Sequence, residues 1–220
     1  MIISQSKPFE EIIKYLEGSK KVVITGCSLC ASTCKVGGEE EILKMKNSLE
    51  EKGIEVIGHR ILDPSCNYLK VKKDLKVLKK DFKEADSVLS LACGDGTQTV
   101  AKLLKLPVYP GNNTMFIGEV KRVGEFEESC KACGDCELGW TGGICPTTLC
   151  AKGLLNGACG GAKEGKCEVD SNKDCGWILI YEKLKSLGKL DNLTEIREPR
   201  NYKRVVSPGR LNLNDKGDAC

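Results

Sequence analysis

The chain has 220 residues, 34 of them basic and 31 acidic for a net charge of +3, with 14 cysteines, a single histidine and 5% aromatics. That length can bury a real core in one large domain or two small ones. The charges are interspersed and no basic stripe is interleaved with aromatics, which argues against a nucleic-acid footprint, and no apolar run nears the roughly 20 residues a bilayer crossing takes.

In chain order, residues 1–11 lack the basic and apolar regions of a secretory leader, so the expectation is a soluble, cytoplasmic protein. In that compartment thiols stay reduced unless they bind metal or do redox chemistry. Residues 8–18 read as a helix, with proline near its start and glycine past its end. Residues 21–25 are a short β-branched run, hence a buried strand. A loop with three cysteines follows, then a helix over 39–52 with Ile42, Met45 and Leu49 on one face and Gly53 as its stop. Residues 54–57 form the next strand, with a reach toward Leu62. Val71, Leu75, Leu78 and Phe82 recur at helical spacing and predict one amphipathic helix over 69–82, its other face nearly all Lys and Asp. Residues 87–92 are a third strand, 97–106 a helix, and 107–110 a short fourth strand. Strands alternating with helices of this length imply a parallel sheet covered on both faces, with the first strand central in an order 2-1-3.

The character changes near Met115. Between Cys130 and Cys175 the chain is rich in Cys and Gly, and short helices are expected, one from Pro146 to Leu155. A closing helix over 177–187 places Ile178, Tyr181 and Leu184 on one stripe, with Trp177 and Tyr181 read as core. After Asp191 the tail is polar and is expected to be disordered or to order on a partner. The domain reading is an α/β domain over 1–114, flavodoxin- or Rossmann-like, then a Cys-rich cluster region of loops and short helices over 115–190, and a polar tail over 191–220.

The cysteines carry the chemistry. Cys130, Cys133 and Cys136 are spaced so that intervening turns aim three sulfurs at one centre, and Cys145-Pro146 follows. The bacterial ferredoxin run C-x2-C-x2-C-x3-C-P is the nearest pattern, with a longer last spacer here. In that run the fourth cysteine serves the other cluster, so Cys145 need not join Cys130. Cys150, Cys159, Cys167 and Cys175 complete the set in this half. In the first half, Cys27, Cys30 and Cys34 follow the first strand and Cys93 follows the third. Open α/β sheets bind ligands outside the carboxyl ends of their strands, so these four are expected to converge there, with Cys66 as the alternative fourth ligand. Zinc held by four thiolates is the main rival, above all at the N-terminal site. Cys220 reads as a bystander. Leaving it and one of Cys66 and Cys93 aside, twelve thiols remain, a ceiling of three four-thiolate sites.

Other signals are weaker. Gly94-Asp95-Gly96 is half a dinucleotide fingerprint and reads better as a tight turn beside Cys93. His59 reads as structural or surface. No acid–base pair, nucleophile or flavin motif emerges, so no catalytic residue is expected.

The strings Thr25–Cys30, Cys34–Glu39, Ala92–Gln98, Cys130–Cys136, Thr141–Pro146, Leu155–Gly161 and Cys175–Tyr181 occur in order. Together they resemble the MetV-type small iron–sulfur subunit of acetogen methylenetetrahydrofolate reductase, the methylenetetrahydrofolate reductase C-terminal domain family, over about residues 8–190. The cysteine count supports one N-terminal and one or two C-terminal sites, read as two or three 4Fe–4S clusters, and the resemblance implies a flavoprotein partner, a TIM barrel carrying FMN and the folate site. The resemblance also implies ferredoxin or another redox subunit as electron donor. The implied role is the non-catalytic electron-transfer subunit of an oxidoreductase that reduces methylenetetrahydrofolate to methyltetrahydrofolate in the Wood–Ljungdahl pathway. The alternative is a zinc-binding structural or assembly subunit of the same flavoprotein, without electron transfer. No nucleic acid and no membrane span are expected.

Overall fold

The computed structural model describes residues 1–211; Cys220 lies outside the described residues. The chain divides into two compact units, with the boundary between Glu127 and Glu128. No helix among the described residues is long and apolar enough to cross a membrane.

The first unit opens with β1 (Ile2–Ser6), α1 (Phe9–Tyr15), β2 (Lys21–Cys27), α2 (Cys30–Thr33), α3 (Glu39–Glu51) and β3 (Glu55–Leu62). It continues with α4 (Tyr68–Asp74), α5 (Asp81–Glu84), β4 (Ser87–Ser90), α6 (Gly94–Leu103), β5 (Val108–Pro110) and β6 (Asn112–Arg122), and β7 (Glu125–Cys130) runs across the unit boundary. The fold class is α/β: a parallel sheet of order β3-β2-β4-β5 puts the first strand of the α/β pattern between the second and third.

Strand periodicity divides the core. Val22, Ile24, Leu89 and Leu91 pack with Ile12, Leu16, Ile42 and Leu49 of α1 and α3. Val23 and Val88 face the other way, against Val71, Leu75, Leu78 and Val100. Both faces of β2 are therefore covered, and nearly every residue of it is buried. A fully buried Val or Ile contributes about 1.5–3 kcal/mol, so Val22, Val23 and Ile24 hold β2 firmly in the core.

The helix expected over 69–82 is broken into α4, a 3-10 turn over Leu75–Leu78 and α5. Its apolar stripe still faces the core, which fixed the buried side chains without requiring a continuous helix. The turn expected at Gly94-Asp95-Gly96 is instead the first turn of α6, with Cys93 at its N-cap.

Sequence reasoning missed a second sheet of order β1-β6-β7. β1 pairs antiparallel with β6, Ile3 opposite Phe116 and Ser6 opposite Asn112. Val123 and Gly124 join β6 to β7, a link so short that it dictates an antiparallel hairpin. These strands are mostly exposed, so they lack the apolar alternation that announces a strand.

The second unit holds α7 (Pro146–Leu149), α8 (Gly176–Ser186) and 3-10 turns over Leu190–Thr194 and Tyr202–Val205. Its small core gathers Cys175, Trp177, Ile180 and Leu184, with Ile144, Cys150 and Leu154 packed around them. The helix expected to reach Leu155 stops at Leu149 because Cys150 turns to an extended ψ of 114°. Trp177 is core as expected, but Tyr181 is 42% exposed and Ile180 takes the inward position.

The described part of the polar tail folds back on its own unit as a strap. Asn192 Nδ2 donates to Trp140 O at 3.0 Å. Asn156 brackets the Arg197 backbone, accepting from its N–H at 2.6 Å and donating to its carbonyl at 2.9 Å. Arg200 reaches Thr147, and Arg204 pairs with Asp135 at 3.0 Å.

Candidate metal centres

All thirteen described cysteines are free thiols. The first group sits at the carboxyl ends of the parallel strands. Cys27 ends β2, buried, and its N–H donates to Gly37 O at 3.0 Å. Cys30 opens α2 and Cys34 closes it, so the two lie one turn apart on the same face. Their sulfurs lie against β1: Ile2 N donates to Cys30 Sγ at 3.4 Å, and Cys34 Sγ donates to Ile2 O at 3.9 Å. Cys93 is buried at the N-cap of α6, while Cys66 is exposed in the loop after β3.

Several polar residues hold these loops together. Ser65 Oγ donates to Gly26 O at 3.0 Å, tying the Cys66 loop to the end of β2. Asn112, buried at the start of β6, donates through Nδ2 to Val36 O at 3.2 Å and Ala92 O at 3.4 Å. One amide thus links the loop behind Cys34 to the loop before Cys93. Thr114 Oγ1 accepts from Gly94 N at 2.7 Å, beside Cys93.

The thiols feel one another. Burial raises the Cys34 thiol, and Cys30 adds to the effect. Partial desolvation raises Cys66, followed by the Asp95 carboxylate and by Cys93 and Cys27. The five lie at one end of the sheet by their place in the chain: Cys27 ends β2, Cys30 and Cys34 bracket α2, Cys66 follows β3 and Cys93 caps α6. They are not drawn to ligand spacing: no three His, Cys, Asp or Glu side chains among the described residues form a metal-holding group. The donor set nonetheless suits a thiophilic centre, since it is all sulfur and His59 is engaged elsewhere, 3.4 Å from Glu39.

In the second unit Cys130 ends β7, and the other cysteines lie on loops or at helix caps. In the stretch from Cys130 to Cys136, Ala132 (φ 50°) and Gly134 (φ 71°) take left-handed conformations, one between each pair of thiols. Alternating hands of this kind turn successive N–H groups toward one concave side, where anions bind. Ala132 N accordingly donates to Cys130 Sγ at 3.3 Å. Cys145 and Cys150 flank α7 as its caps, and Cys175 caps α8. Burial works to raise the Cys145 thiol, but hydrogen bonds from the Thr148 hydroxyl and the amides of Thr148 and Thr147 outweigh it and lower the pKa. The Gly161 amide, aided by Lys152, lowers Cys159 against a smaller desolvation effect. Cys150 and Cys175 meet in the small core. Cys167 donates its N–H to Lys173 O in the adjoining loop.

Glu137, next to Cys136, is buried, and its carboxylate accepts from Arg197 Nε at 2.8 Å. The guanidinium also lies over the Trp140 ring, 4.4 Å from its centroid. With Arg204 on Asp135, two strap arginines neutralise both carboxylates that flank Cys136. None of Asn112, Ser65, Glu137, Arg197 and Arg204 stood out in the sequence. Single polar residues carry no periodic signal, and their partners lie far along the chain.

No curated protein and no solved structure matches the chain. Residues 109–203, a little under half of the chain and the stretch that contains all eight cysteines from Cys130 to Cys175, match the family model described as Methylene-tetrahydrofolate reductase C terminal and are related to that family.

Proposed function

We propose that this chain is the electron-transfer subunit of a methylenetetrahydrofolate reductase complex, carrying 4Fe–4S clusters that serve the FMN of a partner flavoprotein. The observation that carries the reading is the loop from Cys130 to Cys136, with three free thiols at two-residue spacing and a left-handed residue in each gap, inside the stretch related to the reductase family.

Cys130, Cys133 and Cys136 would hold one cluster, with a fourth thiol from among Cys145, Cys150, Cys159, Cys167 and Cys175. Cys27, Cys30 and Cys34 would hold another, completed by Cys93 or Cys66. Bound clusters supply one-electron chemistry, which the side chains of this protein do not offer. The chain's own residues do the rest. Amides such as Ala132 N direct donors at sulfur, which stabilises negative charge there. Asn112 and Ser65 hold the thiol-bearing loops of the first unit in place, and Arg197 and Arg204 offset the carboxylates beside Cys136.

The test is metal analysis of the anaerobically purified chain, with paramagnetic resonance of the reduced sample. About four irons per cluster and a cubane signal are expected. Zinc in place of iron would refute electron transfer and favour a structural role. Replacing Cys133 with serine is expected to remove about one cluster's iron while the first unit's parallel sheet stays folded.

A further inference from the structure

The surface of residues 68–84 takes no part in the site described above. Seven of the fourteen residues from Lys70 to Lys83 are lysine, and all seven are exposed. None forms a salt bridge among the described residues. Of the three acids in residues 68–84, Asp74, Asp81 and Glu84, Asp81 turns in toward Gly58, where its Oδ2 would stand 2.7 Å from an added Cβ, and Glu84 pairs with Lys21. Residues 68–84 carry a formal charge of +4 against +3 for the whole chain, so the rest of the molecule is slightly acidic. What distinguishes this segment is that its seven lysines are exposed and carry no salt bridge among the described residues.

Apolar side chains stand exposed in the same stretch. Leu69 is 75% exposed, Val77 68% and Tyr68 48%, although Val71, Leu75 and Leu78 beside them are buried in the core. Apolar contacts ringed by cations of one sign are the anatomy of a protein docking site with electrostatic steering. The alternatives fit less well. The stretch contains no arginine, the residue suited to forked recognition of phosphate. Its main apolar stripe is spent on the core and its helix is broken, which leaves no continuous apolar face to lie in a bilayer.

We propose that residues 68–84 are the docking surface for an acidic protein. On the electron-transfer reading, on which this identity rests, that protein is the soluble electron donor. α4 begins two residues after Cys66, so the surface starts at the end of the sheet that bears the five thiols.

The experiment titrates the full chain with a purified acidic two-cluster ferredoxin at about 50 and about 200 mM salt. It also maps carbodiimide cross-links, which join lysine amines to carboxylates. Affinity is expected to fall about tenfold across that salt range and about tenfold again in the variant K72E/K76E/K79E/K80E. Because these side chains are in water, the variant should keep the wild-type circular dichroism. The uncharged change L69A/V77A should weaken binding several-fold without altering the salt dependence. Cross-links are expected on lysines between Lys70 and Lys83. Equal binding by the charge-reversed variant, cross-links confined elsewhere, or tighter binding of wild type to polyuridylate or to anionic phospholipid vesicles would each overturn the proposal. A chain that holds only zinc yet docks the acidic protein through these lysines would overturn the electron-transfer reading and leave the docking surface standing.

Discussion

Replacing Gly37 with alanine tests how the thiol-bearing end of the sheet is held. A Cβ at this position would lie 1.9 Å from Leu91 O and 2.9 Å from the Ala31 Cβ. Leu91 cannot yield easily, because its own N–H donates to Thr25 O at 2.7 Å and anchors it to β2. Relief to an ordinary contact requires the Gly37 backbone to retreat by about 1 Å or more. Gly37 O accepts the Cys27 N–H at 3.0 Å, so a backbone shift of that size is expected to weaken or break this bond. Losing the bond costs about 1 kcal/mol and overpacking adds about 1–3 kcal/mol, for an expected loss of about 2–4 kcal/mol. Gly53→Ala is the control. Gly53 has φ +79° with nothing within 4 Å of an added Cβ, so only left-handed strain of about 1–2 kcal/mol applies. Urea unfolding followed by circular dichroism compares the two, and the reactivity of the Cys27 thiol reports the displaced loop. A Gly37→Ala protein as stable as Gly53→Ala, with Cys27 still protected, would refute the close approach.

Arg197→Ala strands the buried Glu137 carboxylate and removes the stack on Trp140. Because the arginine side chain is itself 33% exposed, about 2 kcal/mol is expected, less than a fully buried pair would lose. Combining it with Glu137→Gln should recover part of that in urea unfolding. Asn112→Ala removes both bonds that link the Cys34 and Cys93 loops and should cost about 1–3 kcal/mol, with faster amide exchange at residues 34–38. Asp86 accepts from the backbone N–H groups of Lys21 and Lys20, which hold its carboxyl below the ordinary 3.8. A pKa lowered in the folded state adds stability that is complete above the unfolded value and is lost as pH falls through the folded one. The difference between wild type and Asp86→Asn should thus be constant from neutral pH down to about 5 and shrink below about 4, as read from urea midpoints across that range.

The parallel sheet was legible because β-branched runs such as residues 21–25 and the stripes of Ile42 and Leu49 report burial directly. Those signals gave its strand order and placed Cys27, Cys66 and Cys93 at its carboxyl end. They report burial and not backbone continuity, which is why Val71, Leu75 and Leu78 were placed correctly while the helix through them proved broken. The second sheet escaped because β6 is polar and mostly exposed, held by pairing with β1 more than 100 residues away. The strap escaped for a related reason: Arg197, Arg200 and Arg204 look like solvated charges until Glu137, Thr147 and Asp135 are found beneath them.

The strap also sets an order of events during synthesis. Arg197 and Arg204 meet partners 60 and 69 residues earlier in the chain. At about 5–20 residues per second, the loop around Cys136 leaves the ribosome some 3–14 seconds before the residues that fasten it. During that interval Asp135 and Glu137 lack their counter-ions and the three thiols between Cys130 and Cys136 stand on an unbraced loop. The loop around Cys136 is thus exposed early and braced late, with its fastening encoded downstream of everything it fastens.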